Sequence, residues 1–202
     1  MLRRFVLSVA ALAVIALAGN AQAQAKGGAA ASDGKAKIGF GVGIETSLAG
    51  QPSSVSAVLT GTAPVPVMFY MPIQLTPQFR VEPQIGLFAA SSDTGDASAF
   101  ALGGGFFLTQ PLAQNLDVYV GPRLILDFVG GKDKTVNPNA SGSAVDVSIL
   151  AAAGAEYYLS SHFSVGAEGQ FGYSSQGSIS AIGRPSASLW ATNALIFLRA
   201  YL

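Results

Sequence analysis

After residue 36, apolar and polar residues alternate along most of the chain with the two-residue period of a β-strand. In the third such segment, for example, Val81 and Ile85 alternate with Arg80 and Glu82. Every charge inside these segments falls on the less apolar of the two faces. The pattern predicts eight strands, at residues 37–47, 65–75, 79–90, 98–109, 116–128, 144–159, 163–173 and 187–202.

The links between these strands alternate in length. Those after strands two, four and six are short, whereas those after strands one, three, five and seven are mostly longer and polar, the largest being residues 48–64 and 129–143. Short turns at one end and longer loops at the other are typical of barrels in the bacterial outer membrane, with the turns in the periplasm. The sequence therefore predicts an all-β fold, an eight-stranded antiparallel up-and-down transmembrane β-barrel at residues 37–202, with both termini periplasmic.

The N-terminus has the pattern of a secretory signal peptide. Arg3 and Arg4 precede an apolar run at residues 5–18, and the small residues around Ala23 and Ala25 form two alternative cleavage patterns. We expect a signal peptide at residues 1–23, cleaved after Ala23 or Ala25, and a flexible leader at residues 24–36. The alternative is an uncleaved anchor helix, for which the apolar run is short.

Composition narrows the range of functions. The chain is 50% hydrophobic and 11% charged, has a formal net charge of zero and contains no cysteine. A zero net charge provides no basic surface for nucleic acid, and the lack of cysteine excludes disulfides and thiol chemistry. The single histidine, His162, lies in a predicted periplasmic turn, away from any partners for catalysis at the outer end. We expect no catalytic site, no cofactor and no metal site.

The charged face is predicted to line the interior, where an eight-stranded barrel has space only for its own side chains. We expect an ion-pair network there, with these members: Glu45, Arg80, Glu82, Asp117, Arg123, Asp127, Asp146, Glu156, Glu168 and Arg199. The glycines at 39, 41, 43 and 103–105 are expected to make room for large inward side chains. Outward aromatic residues are predicted at the two membrane interfaces, namely Phe40, Phe79, Phe100, Phe106, Phe128, Tyr157, Phe163, Tyr173 and Trp190.

Three near-repeats, RVEPQIG at 80–86, VGPRL at 120–124 and VGAEGQFGY at 165–173, accompany the signal peptide and the apolar alternation. With these features the chain resembles the small eight-stranded outer-membrane barrels of the OmpA and OmpX type. The resemblance implies contact with outer-membrane lipid and lipopolysaccharide, and insertion by the outer-membrane barrel assembly machinery. Members commonly end in phenylalanine as part of the assembly signal, whereas this sequence ends Arg199-Ala200-Tyr201-Leu202.

Three functions remain open at this stage. The first is a structural or surface-interaction role through the external loops, where Lys132, Asp133 and Lys134 are polar. The second is a narrow channel that prefers cations because of the acidic excess inside. The third is a soluble periplasmic ligand carrier of lipocalin type, which requires the apolar face to point inward.

Overall fold

The structure is a computed structural model, and it describes residues 37–49, 67–135 and 140–202. These residues form nine β-strands and one short 3₁₀ helix, η1. Within the described ranges, no helix is long and apolar enough to cross a membrane. The elements are β1 (Lys37–Ala49), β2 (Val67–Tyr70), β3 (Ile73–Thr76), β4 (Phe79–Ser91), β5 (Gly95–Ala113), β6 (Leu116–Asp133), β7 (Ser141–Ser160), β8 (Phe163–Gln176), η1 (Ser180–Ile182) and β9 (Ala187–Tyr201).

The strands form one antiparallel sheet that closes on itself. From β3 to β9 each strand pairs with the next along the chain, and β9 pairs back to β1. At the closure, Gly39 lies opposite Tyr201, and the pairing continues along both strands to Ala49 and Thr192. The prediction of an antiparallel up-and-down barrel is therefore confirmed.

The predicted second strand, residues 65–75, is interrupted. It consists of β2 and β3, separated by Met71 and Pro72, and both pieces pair with β1 and β4. Together they occupy one of eight positions around the barrel. Pro72 has no N–H to donate to the sheet, yet its carbonyl accepts a hydrogen bond from the Gly39 N–H at 2.9 Å, and the Met71 N–H donates to the Pro83 carbonyl at 2.9 Å. The wall is therefore hydrogen-bonded on both sides of the interruption.

The three two-residue turns lie at one end of the barrel, together with Lys37 and Leu202. We call this end the turn rim, and the turns are residues 77–78, 114–115 and 161–162. The opposite end is the loop rim, where the described connections are residues 92–94 and 177–186 and the described parts of residues 134–140. The asymmetry between the two ends agrees with the sequence pattern.

The prediction of long loops at the loop rim is partly wrong. Most of the described residues in the range 129–143 are strand, because β6 continues to Asp133 and β7 begins at Ser141. The link after the third predicted strand has only three residues, 92–94. The pairing continues through small and polar residues, such as Gly131 opposite Gly142, where the apolar alternation has ended. The hydrophobic alternation marks the part of a strand with an apolar outer face, and not the part that continues beyond it.

Glycines on the inward face of β1 lie under large side chains, as expected. A Cβ atom at Gly41 would lie 2.8 Å from Cγ of Arg199, and one at Gly39 would lie 2.8 Å from the ring of Tyr201. These glycines therefore admit the two side chains into the interior. The predicted signal peptide, the predicted leader and most of the predicted loop at 48–64 lie outside the described residues.

Candidate functional site

Six charged side chains meet in the middle of the barrel and form what we call the central network. Three are arginines and three are glutamates, all with at most 2% of their surface exposed. They come from β4, β6, β7, β8 and β9, so the network joins strands on several sides of the interior. Its members are Arg80, Glu82, Arg123, Glu156, Glu168 and Arg199.

Arg123 links two of the glutamates. Its Nη2 atom lies 2.8 Å from Oε1 of Glu82 and 2.7 Å from Oε2 of Glu168, and its Nε donates to Oε1 of Glu168 at 3.0 Å. Nη1 donates to the side-chain carbonyl of Gln84. Charged hydrogen bonds of this kind are stronger than neutral ones, so Arg123 ties β6 to both β4 and β8.

Glu156 holds the other two arginines. Its Oε2 lies 2.6 Å from Nη1 of Arg80 and 2.7 Å from Nη1 of Arg199, while Oε1 accepts the hydroxyls of Ser164 and Tyr201, each at 2.5 Å. Arg199 also pairs with Glu82. Glu82 therefore connects the two halves of the network.

Aromatic rings fill the space around the guanidinium groups. The guanidinium carbon of Arg199 lies 3.7 Å from the ring centre of Phe197, that of Arg80 lies 4.3 Å from Tyr119, and that of Arg123 lies 5.0 Å from Phe107. Phe107, Tyr119 and Phe197 are buried and belong to the apolar interior cluster. Charged groups and rings together occupy this cross-section of the barrel.

Four other predicted interior charges lie apart from these ion pairs. Glu45 accepts a hydrogen bond from Nδ2 of Asn193 at 2.9 Å. Asp117 lies near the turn rim, opposite Glu156 in the strand register, and Asp127 lies opposite Asp146 toward the loop rim. Asp146 pairs with Arg184, which belongs to the connection between β8 and β9.

That connection, residues 177–186, folds into the loop end of the barrel. Ile179 and Arg184 exchange backbone hydrogen bonds of 2.9 and 3.1 Å, and η1 lies between them. Ile179 is buried, and Ile182 contacts the inner side of β6 at Gly131. Asp146 fixes this connection by accepting the Gly177 N–H at 2.9 Å and by pairing with Arg184. We call residues 177–186 the inward loop.

Breaking the Asp146–Arg184 pair is expected to open the loop end. In Arg184→Ala, Asp146 loses its charged partner and the inward loop its side-chain anchor. Because the chain has no cysteine, Ser174→Cys places a single thiol at a buried inward position on β8. A hydrophilic thiol reagent should label it several-fold faster with Arg184→Ala than without. Lys134→Ala, which removes an exposed ion pair with Asp96, is the control; equal rates in all three would contradict the anchoring role of Arg184.

The outer surface of the barrel is apolar. Large hydrophobic side chains are exposed on every strand from β1 to β9, including Ile149 at 60%, Trp190 at 64% and Ile196 at 66%. Exposing an apolar surface of this extent to water costs free energy, and soluble monomers rarely have one. The arrangement is the reverse of a soluble carrier, with apolar side chains outside and charged side chains inside.

The aromatic side chains predicted at the interfaces point outward in two groups. Near the turn rim, the rings of Phe79 and Phe106 stack at 5.7 Å, and Phe40 and Phe163 both lie opposite Ala200. Tyr157 lies in the same region, opposite Val165. Toward the loop rim, Phe100 and Phe128 lie 6.0 Å apart, and Tyr173 and Trp190 also lie 6.0 Å apart. Phe69 is exposed between the two groups, as the strand pattern indicated.

The apolar surface ends at a definite level on β4 to β7. Three successive rows of outward residues cross these four strands, and each row is aligned by the strand register. The first is apolar, the second consists of small residues, and the third is polar: Leu87, Phe100, Phe128 and Val145; then Ala89, Ser98, Gly130 and Ser143; then Ser91, Asp96, Lys132 and Ser141. An open groove of about 700 Å³ follows the second and third rows.

The polar side chains above this groove contact one another. Nζ of Lys134 lies 2.5 Å from Asp96 and donates to the Ser92 carbonyl at 2.9 Å. Burial has little influence on Asp96, and its hydrogen bonds to Lys134 and Ser91 hold its pKa below the ordinary value. Lys132 and Asp133 were predicted in a loop, but they are the last residues of β6.

His162 lies in the two-residue turn between β7 and β8, where the sequence placed it. Its side chain is exposed, and Nδ1 is 2.8 Å from the hydroxyl of Ser161. The turn lies at the opposite end of the barrel from the inward loop, so His162 has no part in the loop rim.

Several residues of the interior site were not singled out by the sequence pattern. Gln84, Gln170 and Asn193 share a face with the charges, but neutral polar residues on that face carry no signal for a network. Arg184 lies outside every predicted strand, and nothing in the local sequence indicates that it turns inward to Asp146.

These features define a class: small eight-stranded barrels with a filled, charged interior and an apolar outer surface. The chain has the fold of the small outer-membrane barrels of the OmpA and OmpX type. No family model matches it, and no curated protein matches it in sequence.

Three solved structures give the comparison. Neisserial surface protein A (NspA) has a TM-score of 0.56 at 10% identity, with 82% of this chain and 96% of that chain covered. A major outer membrane protein from Thermus thermophilus has a TM-score of 0.53 at 10% identity, with coverages of 83% and 99%. The third structure is Ail, the attachment invasion locus protein of Yersinia pestis, in complex with the heparin analogue sucrose octasulfate. It has a TM-score of 0.51 at 9% identity, with 83% of this chain and 97% of that chain covered.

Proposed function

We propose that this protein is an integral barrel of the bacterial outer membrane with a structural or surface-interaction role, without catalysis. The turn rim and both chain termini face the periplasm, and the loop rim faces outward. Residues 1–23 act as a signal peptide that is cleaved after Ala23 or Ala25. Lipid and lipopolysaccharide surround the apolar surface, and the barrel assembly machinery inserts the protein.

The observation that carries this proposal is the distribution of polarity across the wall. Arg123 is 1% exposed and points inward, whereas its neighbour Leu124 is 48% exposed and points outward. The same alternation is found on the other strands. A wall with its charges inside and its apolar residues outside is stable when lipid covers the outer surface and every backbone group is paired within the barrel.

The level at which the apolar surface ends supports the proposed orientation. Beyond the row that contains Phe100 and Phe128, β5, β6 and β7 continue as polar strands toward the loop rim. Aromatic rings favour the interface between lipid and water, so this row marks the outer interface in the proposal. The polar groups above it, including Lys132 and Lys134, then lie where surface partners approach.

A channel is less well supported than a structural role. Conduction needs a continuous hydrated path, and the central network with Phe107, Tyr119 and Phe197 occupies the middle of the interior. The inward loop also folds into the loop end, where Ile179 is buried and Ile182 contacts β6 at Gly131. A structural or surface role requires no such path.

Heat-modifiability tests the proposal directly. Membranes from cells that express the full chain are extracted in mild detergent, and gel migration is compared with and without boiling. We expect the protein in the outer-membrane fraction, with a boiling-dependent shift, because a closed barrel keeps its compact shape in cold detergent. Recovery from the soluble periplasm, without a shift, would reject the membrane proposal and favour a soluble carrier.

A further inference from the structure

The central network is balanced in charge, and Glu45 lies beside it without a basic partner. Three arginines face three glutamates in the ion pairs described above. Glu45 forms no ion pair with any described residue, and its hydrogen-bond partner is the neutral side chain of Asn193. The nearby charged groups are Arg123, Asp127 and Glu168, and Arg123 is already paired with two glutamates. Glu45 and Asp127 therefore both lack an ion-pair partner among the described residues on this side of the interior.

Two buried amide oxygens, one on the hydrogen-bond partner of Glu45 and one on the residue opposite that partner, also have no hydrogen-bond donor among the described residues. Oδ1 of Asn193 and Oε1 of Gln170 are buried and without a partner, in side chains that are 6% and 2% exposed. Asn193 and Gln170 lie directly opposite each other on β9 and β8. The amide group of Asn193 also donates to Glu45, which brings its oxygen close to the carboxylate. Buried acceptors rarely remain without a partner in folded proteins.

A carboxylate and neutral amide oxygens form the ligand set that hard cations prefer. The hydroxyl of Tyr70 is a fourth oxygen nearby: it is buried, has no hydrogen-bond partner among the described residues and interacts electrostatically with Glu45. The oxygen ligands named here include a single carboxylate, so one monovalent ion neutralises the ligand set, whereas a divalent ion would leave an excess positive charge on it. The composition of the site therefore favours a monovalent ion.

We propose that Glu45, Asn193 and Gln170 bind one alkali cation, Na⁺ or K⁺, on the loop-rim side of the central network. The cation joins β1, β8 and β9 near the seam where the barrel closes. Its role is to stabilise the closed barrel by giving Glu45 the positive partner that no arginine provides. This site goes beyond the structural role proposed above and requires no conduction.

The test measures barrel unfolding in the full protein in detergent, by the temperature at which the unboiled form disappears on a gel. Samples contain NaCl, KCl or choline chloride at equal ionic strength and pH. We expect a higher midpoint with Na⁺ or K⁺ than with choline, by roughly 5 to 10 °C at about a hundred times the dissociation constant. Choline is a cation too large for the site, so it controls for screening.

Glu45→Gln should abolish the difference between alkali salts and choline, while the midpoint in choline stays the same or rises. Asp96→Asn, which alters only an exposed ion pair at the loop rim, should retain the difference. Asn193→Asp provides a second variant: it adds a carboxylate, so Ca²⁺ should then raise the midpoint more than Na⁺ does.

Equal midpoints in all three salts would overturn the proposal, as would a salt difference that persists in Glu45→Gln. A midpoint that rises on acidification without depending on the cation would show that protonation neutralises Glu45 instead, and this outcome also overturns the site. If the heat shift is retained, none of these results contradicts the proposed membrane barrel. Loss of the heat shift itself contradicts the barrel proposal.

Discussion

Arg123→Ala should destabilise the barrel by about 3–5 kcal/mol, the usual cost of removing one partner from a buried ion pair. Glu82 and Glu168 both lose their contacts with Nη2 of Arg123, at 2.8 and 2.7 Å. Glu82 retains Arg199, whereas Glu168 keeps only neutral donors such as the Tyr119 hydroxyl at 2.9 Å. The free energy of unfolding in urea, measured on protein refolded into lipid vesicles, gives the loss.

Two variants separate the effect of charge from that of packing. In Arg123→Met with Glu168→Gln, the long side chain is kept and the unpaired carboxylate removed, so a large part of the lost stability should return. Lys134→Ala is the control, because its ion pair with Asp96 is exposed and should contribute little to stability. A loss for Arg123→Ala that is no larger than for Lys134→Ala would show that the central network does not stabilise the barrel.

Leu124→Arg, a substitution on the outer face of the wall, should destabilise the protein to a similar extent. Leu124 lies in the middle of β6 and is 48% exposed, opposite Gly104 and Ile149. An arginine at the midplane of the lipid costs about 2–4 kcal/mol, and the cost falls to about 0–1 kcal/mol near the interfaces. The same unfolding measurement in vesicles provides the value.

Ser141→Arg is the matched control for this substitution. Ser141 is exposed and belongs to the polar row beyond Phe100 and Phe128, so an arginine there should change stability little. The two substitutions introduce the same side chain at outward positions of the wall and differ in depth. Equal and small effects would contradict a lipid-covered surface, because a soluble barrel tolerates an exposed arginine at either position.

Much of the fold could be predicted from the sequence because a wall with an apolar outer face and a charged interior demands a strict alternation. Charges and large apolar residues on one strand, such as Arg123 and Leu124, must point to opposite sides of the wall. Once one residue of a segment is known to point inward, the alternation determines the direction of every other side chain in that segment. The direction of the interior charges follows from that constraint, and the eight positions follow from the number of alternating segments.

The ends of the strands could not be predicted in this way. Beyond the apolar outer surface, a strand needs only backbone pairing, and pairs such as Gly131 and Gly142 satisfy it without any hydrophobic pattern. The interruption at Pro72 is a related case. The proline itself is visible in the sequence, but the hydrogen bonds that flank it depend on Gly39 and Pro83 in neighbouring strands.

The connectivity of the interior site is also a property of the folded barrel. Arg123 faces the same interior as every other inward charge, and only the register of β4, β6 and β8 decides that Glu82 and Glu168 are its partners. Arg184 was missed because its approach to Asp146 depends on how residues 177–186 turn, with Gly183 in the left-handed region at φ 65°. Local sequence does not encode such a path.

Because β1 pairs with β9, neither the first nor the last strand of the sheet is an edge strand. The Leu202 N–H donates to the Ile38 carbonyl at 2.9 Å, so residues 37 and 202 are neighbours on the same rim. Along its closed part, such a sheet offers no edge strand to a second molecule, which removes the usual route to edge-to-edge aggregation there. A short peptide joining residue 202 to residue 37, with a new opening at residues 92–94, would keep every strand beside its present neighbours in a circularly permuted chain.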